Sequence, residues 1–368
     1  MARENQELGR NPSLRKRLLS WYGLNRRDLP WRRSSDPYAI WVSEIMLQQT
    51  RVAVVVERYQ SFMHRFPTLV SLAMASEDEV LTLWSGLGYY RRARMLHKAA
   101  QFVVDQCNGA LPLTSAELRT LPGIGTYTSA AIASIAHGEP VAVVDGNVER
   151  VLSRLQGWGF AGRNAEATLK RKIDDLAAQL VDPAQPGDFN QALMELGATV
   201  CLPRNPQCLS CPWAENCKTK GEHKTAPRRQ MLSRQVAHAL AVCTGRHAGK
   251  GSREVLLERR ADSQTVMPGM WELPLLKETA VPEEELRMTV RHAIMQVNYY
   301  VRIRTVFEDD VESMTVESGL RQWVPLHEAE SMALTGLARK VLTRARLLAG
   351  TPLDAITPQT ANGQLDIF

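Results

Sequence analysis

Apolar positions recur at helical spacing from residue 13 to about residue 220, with short polar connections between the stretches, so this part reads as a set of amphipathic helices. Within it, Asp36 before Pro37 is a good helix N-cap followed by a good first helical residue. Thr114 and Glu117 have the spacing of a capping box for a short helix, and after the glycine turn LPGIG the alanine-rich stretch Thr126–His137 predicts a second one. An apolar run ends at Asp145, and another helix begins close behind it. Beyond the polar stretch 224–230 the period changes. Residues 234–245 and 252–260 read as strands flanking a Gly/Lys turn, 298–308 and 321–326 as further strands, and 334–350 as a helix. The predicted fold is therefore a mainly α-helical N-terminal domain (1–224), a linker (225–234), a smaller α+β domain (235–348) and a tail (349–368).

A chain of 368 residues suits two domains of ordinary size, and 44% hydrophobic with 23% charged residues is normal for a globular protein. No apolar run is long enough to span a bilayer, and the first residues lack the apolar core of a signal peptide. The expected compartment is the cytoplasm, where disulfides are not expected. Residues 1–227 hold 27 Lys+Arg against 22 Asp+Glu, whereas 228–368 hold 18 against 17. The basic surplus of the first part is compatible with a polyanionic partner and does not by itself establish one.

Four of the six cysteines, Cys201, Cys208, Cys211 and Cys217, fall in one short stretch, CLPRNPQCLSCPWAENC. Zinc ligands usually come as two close pairs, and only one is present. The irregular spacing favours a four-iron cube, with zinc or unligated thiols as the alternatives. The glycine turn, with the start of the following helix, offers backbone N–H groups that can hold a DNA phosphate, although a plain helical hairpin reads the same way. Asp145 sits where a carboxylate feels the positive end of a helix dipole, and a simple capping role is its bland alternative. Glu44 has Ile40, Trp41 and Leu47 as helical neighbours. Burial there would raise its pKa and suit a general acid; the alternative is a glutamate at the rim of a polar face, paired with an arginine.

Taken together, SEIMLQQTRV (43–52), WSGLGYYRRARML (84–96), LPGIGTYTSAAIASIA (121–136), VVDGNVERVLSRL (143–155), FNQALMELGA (189–198) and the four cysteines make the chain resemble the helix-hairpin-helix DNA glycosylases with a C-terminal iron–sulfur loop. Within them it resembles the adenine DNA glycosylases of the MutY type, and LLERR (256–260) with MPGMWELPLL (267–276) resembles their MutT-like domain. The resemblance implies a bacterial, cytoplasmic, monomeric base excision repair enzyme that flips adenine out of duplex DNA opposite 8-oxoguanine or guanine and hydrolyses its glycosidic bond. Glu44 matches the acid that protonates the base, and Asp145 the carboxylate that stabilises the sugar cation. Asn147 and Tyr127 match their supports. Tyr127 stands where lyase-type relatives carry a lysine nucleophile, which implies a monofunctional enzyme.

The resemblance further assigns Arg32, Leu47, Gln191 and Glu195 to the adenine pocket, with Glu195 accepting from the exocyclic amine. It makes Gln49 and Tyr89 wedges in the duplex and Thr50 and Leu87 contacts to the damaged guanine. Gly123 and Gly125 become phosphate contacts, and the four cysteines become ligands of a [4Fe–4S] cluster whose loop sets Arg204 and Lys218 against DNA. In the second domain Ile294, Met295 and Gln296 replace the family's Phe-Ser-His lesion sensor, which implies weakened or altered preference for 8-oxoguanine. No nucleotide-pyrophosphohydrolase metal box is present in 235–347. The terminal QLDIF, Gln364–Phe368, resembles the peptide by which repair proteins bind the β sliding clamp, with a chance apolar ending as the alternative. Alternatives to the whole reading are a related glycosylase for thymine or oxidised pyrimidines, or a non-catalytic iron–sulfur protein that binds mispairs.

Overall fold

The structure, a computed structural model, describes residues 12–159, 165–222, 230–244, 252–316 and 319–348. The Gly/Lys turn expected near 245–251, most of the linker and the tail with Gln364–Phe368 lie outside the described residues. Two compact units are present, the first drawing on residues 1–48, 55–74 and 95–227 and the second on 49–54, 75–94 and 228–368. The second unit thus takes in two short segments that the sequence pattern assigns to the helical part.

In order, the helices of the first part are α1 (Pro12–Asn25), α2 (Pro37–Leu47), α3 (Val52–Arg65), α4 (Leu69–Ala73), α5 (Glu77–Leu83), α6 (Arg91–Gln106), α7 (Ser115–Leu118), α8 (Thr126–His137), α9 (Gly146–Gln156), α10 (Ala165–Leu180) and α11 (Pro186–Thr199). Their ends follow the sequence signals. Asp36 accepts from the N–H of Tyr38 and starts α2. Thr114 and Glu117 form the reciprocal capping box of α7, and Gly138 ends α8 in the left-handed conformation that glycine adopts without penalty. One core is built from Leu14 and Leu18 of α1, Val148, Val151 and Leu152 of α9, Ile173 and Leu176 of α10, and Phe189, Leu193 and Leu196 of α11. Trp213, from the cysteine loop, is buried in the same core and donates its indole N–H to the carbonyl of Leu14 at 3.0 Å. The cysteine loop is thereby anchored to the helical core by apolar burial and one buried hydrogen bond. No helix among the described residues is long and apolar enough to cross a membrane.

The second unit carries two small sheets. In one, β1 (Leu232–Leu240) runs parallel to β6 (Val297–Thr305), which pairs antiparallel with β5 (Leu286–Ile294). In the other, β3 (Arg253–Arg259) pairs antiparallel with β2 (Val242–Thr244), β4 (Trp271–Glu272) and β7 (Leu320–Pro325). Leu240, Val255, Leu257, Val290, Val301, Ile303 and Val324 form a core shared by the two sheets and by α14 (Gly336–Arg344), α12 (Val311–Met314) and α13 (Leu326–Ala329) being single turns. The expected strand 234–245 is two strands. It breaks at the fully buried Ala241, where the chain passes from one sheet to the other. The helix expected over 334–350 runs only from Gly336, capped by Thr335, to Arg344. Ile294, Met295 and Gln296 lie at the β5–β6 hairpin turn, where Met295 has φ 53° and is 72% exposed.

Candidate active site

Every residue of α2 from Tyr38 to Met46 is buried, because the helix is apolar on all sides, and Glu44 is carried inside with it at 5% exposure. The Tyr127 hydroxyl, presented from the first turn of α8, donates to Glu44 Oε2 at 2.7 Å. Burial raises the Glu44 pKa to about 7; the charge of Asp145 adds to the rise, while the Tyr127 hydrogen bond and Arg32 oppose it. The rim-and-arginine alternative is therefore not what the fold makes of Glu44. Asp145, roughly a hundred positions later in the chain, is close enough for its charge to be felt at Glu44.

Asp145 is both a cap and more than a cap. Its Oδ1 accepts from the N–H of Val148 at 2.7 Å and starts α9, while its Oδ2 accepts from Asn147 Nδ2 at 3.0 Å. Asn147 Oδ1 in turn accepts from Arg150 Nη2 at 2.7 Å. Arg150 is held by the carbonyls of Gly197 and Cys201, both at 2.8 Å. One carboxylate oxygen is thus spent on the helix and the other is oriented by a chain of side chains. Arg150 has no counterpart among the residues singled out from the sequence; its position one turn after Asn147, on the same helix face, is the signal that could have found it.

Glu195, buried in α11, is engaged by two arginines. Oε1 accepts from the backbone N–H of Arg27 at 3.1 Å and from Arg27 Nε at 2.7 Å; Oε2 accepts from Arg27 Nη2 and Arg32 Nη2, both at 2.8 Å. A carboxylate has about four lone-pair sites, and all four are taken, so Glu195 cannot accept from an incoming amine without releasing an arginine. Burial alone would raise its pKa, but the hydrogen bonds from Arg27 and Arg32 outweigh that and lower it to about 2. Arg32 also lies over the ring of the buried Tyr22, 5.5 Å from its centroid. Arg27 is the residue that sequence reasoning passed over, hidden in the arginine-rich run RRDLPWRR. Gln191 lies one turn before Glu195 on α11, and Leu47 is the last residue of α2; both are half-buried.

Gly123, in the hairpin turn, has φ 76°, and a Cβ there would meet Met95 Cβ at 2.6 Å, so both conformation and space require glycine. Gly125 is the N-cap of α8 and has open space around it. In the second unit Gln49 and Tyr89 are exposed, with φ 55° and 47°. Beside them Thr50 Oγ1 donates to the carbonyl of Leu87 at 3.2 Å.

The thiols of Cys201, Cys208, Cys211 and Cys217 line one cavity together with Arg154 and Lys220. Among the described residues, no three Cys, His, Asp or Glu side chains are gathered as ligands of a single ion would be. Arg154, almost fully buried, donates from Nη1 to Cys201 Sγ at 3.4 Å and to the Leu202 carbonyl at 2.6 Å, and from Nη2 to the Pro203 carbonyl at 2.8 Å. The backbone N–H of Lys218 bonds to the carbonyl of Leu155 at 3.0 Å, tying the far end of the loop to α9.

Residues 42–176 match the family model of the HhH-GPD superfamily base excision DNA repair proteins. The chain is 50% identical over 218 residues to the adenine DNA glycosylase of Homo sapiens, covering 56% of this chain and 39% of that protein. It is 40% identical over 328 residues to the adenine DNA glycosylase of Arabidopsis thaliana, covering 78% of this chain and 50% of that one. It therefore spans about half the length of such relatives or less. Among solved structures, a thermostable thymine-DNA glycosylase is similar with a TM-score of 0.51 and 28% identity, over 60% of this chain and 98% of that one. Residues 42–176 therefore carry an HhH-GPD domain, of the kind found in the superfamily of base excision DNA repair proteins.

Proposed function

We propose that the protein is a monofunctional adenine DNA glycosylase that removes adenine mispaired with 8-oxoguanine or guanine. The observation that carries this reading is the pair formed by Glu44, buried with its pKa raised to about 7, and Asp145, oriented by Asn147 at a helix start. The adenine preference rests on similarity to relatives that bear that activity in their names. Glu44 donates its proton to N7 of the flipped base. The C1′–N9 bond breaks with its electron pair going to the base, and Asp145 stabilises the cation left on the sugar. Water adds at C1′ and gives up its proton, which restores the acid. Tyr127 presents a phenol where a lysine would be needed to form a Schiff base, so strand cleavage is not coupled to base release.

The four thiols around one cavity, with the buried Arg154 beside Cys201, suit a [4Fe–4S] cluster, whose corners take separated ligands. Bound there, the cluster would cross-link the loop that carries Arg204 and Lys218, a docking role on duplex DNA. Clamp binding through Gln364–Phe368 completes the proposed partners and is tested by deleting those five residues, which should abolish affinity for the sliding clamp.

The decisive experiment is single-turnover adenine release from duplexes with adenine opposite 8-oxoguanine or guanine, for the wild type and Glu44→Gln, alongside iron and acid-labile sulfide analysis. Release lost in Glu44→Gln supports the reading. Tight mispair binding without release, or release of thymine or an oxidised pyrimidine instead, replaces it.

A further inference from the structure

Two turns of the second unit hold backbone conformations that side chains seldom adopt. Gln49 has φ 55° and Tyr89 φ 47°, the latter following Gly86 at 92° and Gly88 at 68°. Non-glycine residues in this region are strained and persist where the surroundings over-determine them. Both side chains are exposed, Tyr89 by 51%, so their own packing does not supply the constraint.

Arg92, in the first turn of α6, supplies it. Its Nη2 lies 3.1 Å from Thr50 Oγ1, 2.9 Å from the Leu87 carbonyl oxygen and 3.1 Å from that of Gly88. The guanidinium also lies over two rings, 5.4 Å from the centroid of Trp84 and 5.7 Å from that of Tyr89. The indole N–H of Trp84 donates to the same Gly88 carbonyl at 3.1 Å. One planar cation thus bonds both turns and stacks on the side chain that one of them exposes. Burial lowers the Arg92 pKa to about 10, which leaves the group charged at neutral pH. A lysine could not reproduce this, because a point ammonium lacks the planar fork and the stacking face.

We infer that Arg92 is a positioning residue for base opening: it clamps the Gln49–Thr50 turn to the Leu87–Tyr89 turn, so that Gln49 and Tyr89 act on the duplex as one rigid wedge. This rests on the proposed glycosylase activity, in which the target base leaves the stack before chemistry. Opening costs less where the neighbouring pairs are already unstacked, so a wedge matters most in a fully paired duplex.

The test compares the same adenine–8-oxoguanine pair in a fully paired duplex and inside a bubble with mismatches on both sides. Arg92→Met and Arg92→Lys should slow single-turnover release from the paired duplex by about tenfold or more, and release from the bubble far less. Their melting temperatures are measured alongside. Trp84→Phe, which removes the indole N–H bond to the Gly88 carbonyl and keeps an aromatic ring under the guanidinium, should show the same selective loss on a smaller scale and keeps the test valid if the Arg92 variants fold poorly. Equal slowing on both duplexes, or no slowing on the paired one, overturns the clamp. Failure of the wild type to release adenine from either duplex overturns the glycosylase reading itself, a separate outcome.

Discussion

The Tyr127 hydroxyl donates to Glu44 Oε2 across 2.7 Å, so the phenol is the group that opposes the effect of burial on this carboxyl. A hydrogen bond to a carboxylate favours its charged form and lowers its pKa, against the burial that raises it to about 7. If base release requires protonated Glu44, the rate is level on the acid side and falls about tenfold per pH unit well above pH 7. Tyr127→Phe removes the opposing bond, so the falling limb should move to higher pH. Single-turnover rates between pH 5 and 9 measure this, and an unmoved limb would remove Tyr127 from the tuning of the acid.

Glu44 should also cost stability. Its carboxyl has a higher pKa folded than unfolded, about 7 against 4.5, so the folded protein binds this proton more tightly. The associated stability is present below the unfolded value, declines as pH rises through the interval and is lost above about 7. The shift corresponds to an upper bound of about 3 kcal/mol. Glu44→Gln, which keeps an acceptor for Tyr127, should therefore be inactive and yet more stable than the wild type at pH 8, with little difference at pH 4. Denaturant unfolding at the two pH values checks the sign, and a less stable variant at pH 8 would contradict it.

Much of this site was legible as residue types at particular spacings. The apolar neighbours of Glu44 announce its burial, and the capping signals around Asp36, Thr114 and Asp145 announce where helices begin. What was not legible depends on partners distant in sequence. Glu195 looked like a free acceptor because nothing local reveals that Arg27 and Arg32, more than 160 positions earlier, fill its lone pairs. Arg92 was read only as part of the motif WSGLGYYRRARML, since its role requires two turns to meet. In the second unit the apolar pattern of 234–245 gave strand correctly but could not show that Ala241 divides it between two sheets.

The pair of arginines on Glu195 carries its own prediction. Glu195 is 1% exposed, and removing Arg27 leaves a buried carboxylate with Arg32 as its remaining arginine. Arg27→Ala should destabilise the protein by about 1–3 kcal/mol, the scale for hydrogen bonds to a buried charge, since Arg27 is itself partly exposed and Arg32 stays in place. The depressed pKa of Glu195 contributes stability above the unfolded value, lost as pH falls toward about 2. The variant's acid-unfolding midpoint should accordingly move to higher pH. Far-UV circular dichroism through an acid titration reads this, and coincident transitions would mean that Arg32 alone satisfies the carboxylate.

Gly197 offers the most selective test of how Asp145 is held. It lies on α11 where the helix passes α9, and a Cβ built on it would stand 2.5 Å from Asn147 Cβ and 3.1 Å from Asn147 backbone atoms. No real Cβ approaches so closely, and the obstruction includes backbone, so Gly197→Ala must push Asn147 away. Asn147 is the side chain that orients Asp145 Oδ2, and Arg150, which holds Asn147, also bonds the Gly197 carbonyl. The displacement therefore loosens the carboxylate from one side while the bond of Oδ1 to the Val148 N–H survives. Overpacking of this kind costs about 1–3 kcal/mol of stability, whereas a misplaced catalytic group costs on the order of 100-fold in rate. Gly197→Ala should stay folded and bind mispaired duplex while its single-turnover release falls by about that factor. Asn147→Ala in the same background should then add little further loss, because the contact it removes has already been broken. Fully multiplicative losses in the double variant would show that Gly197 acts by another route.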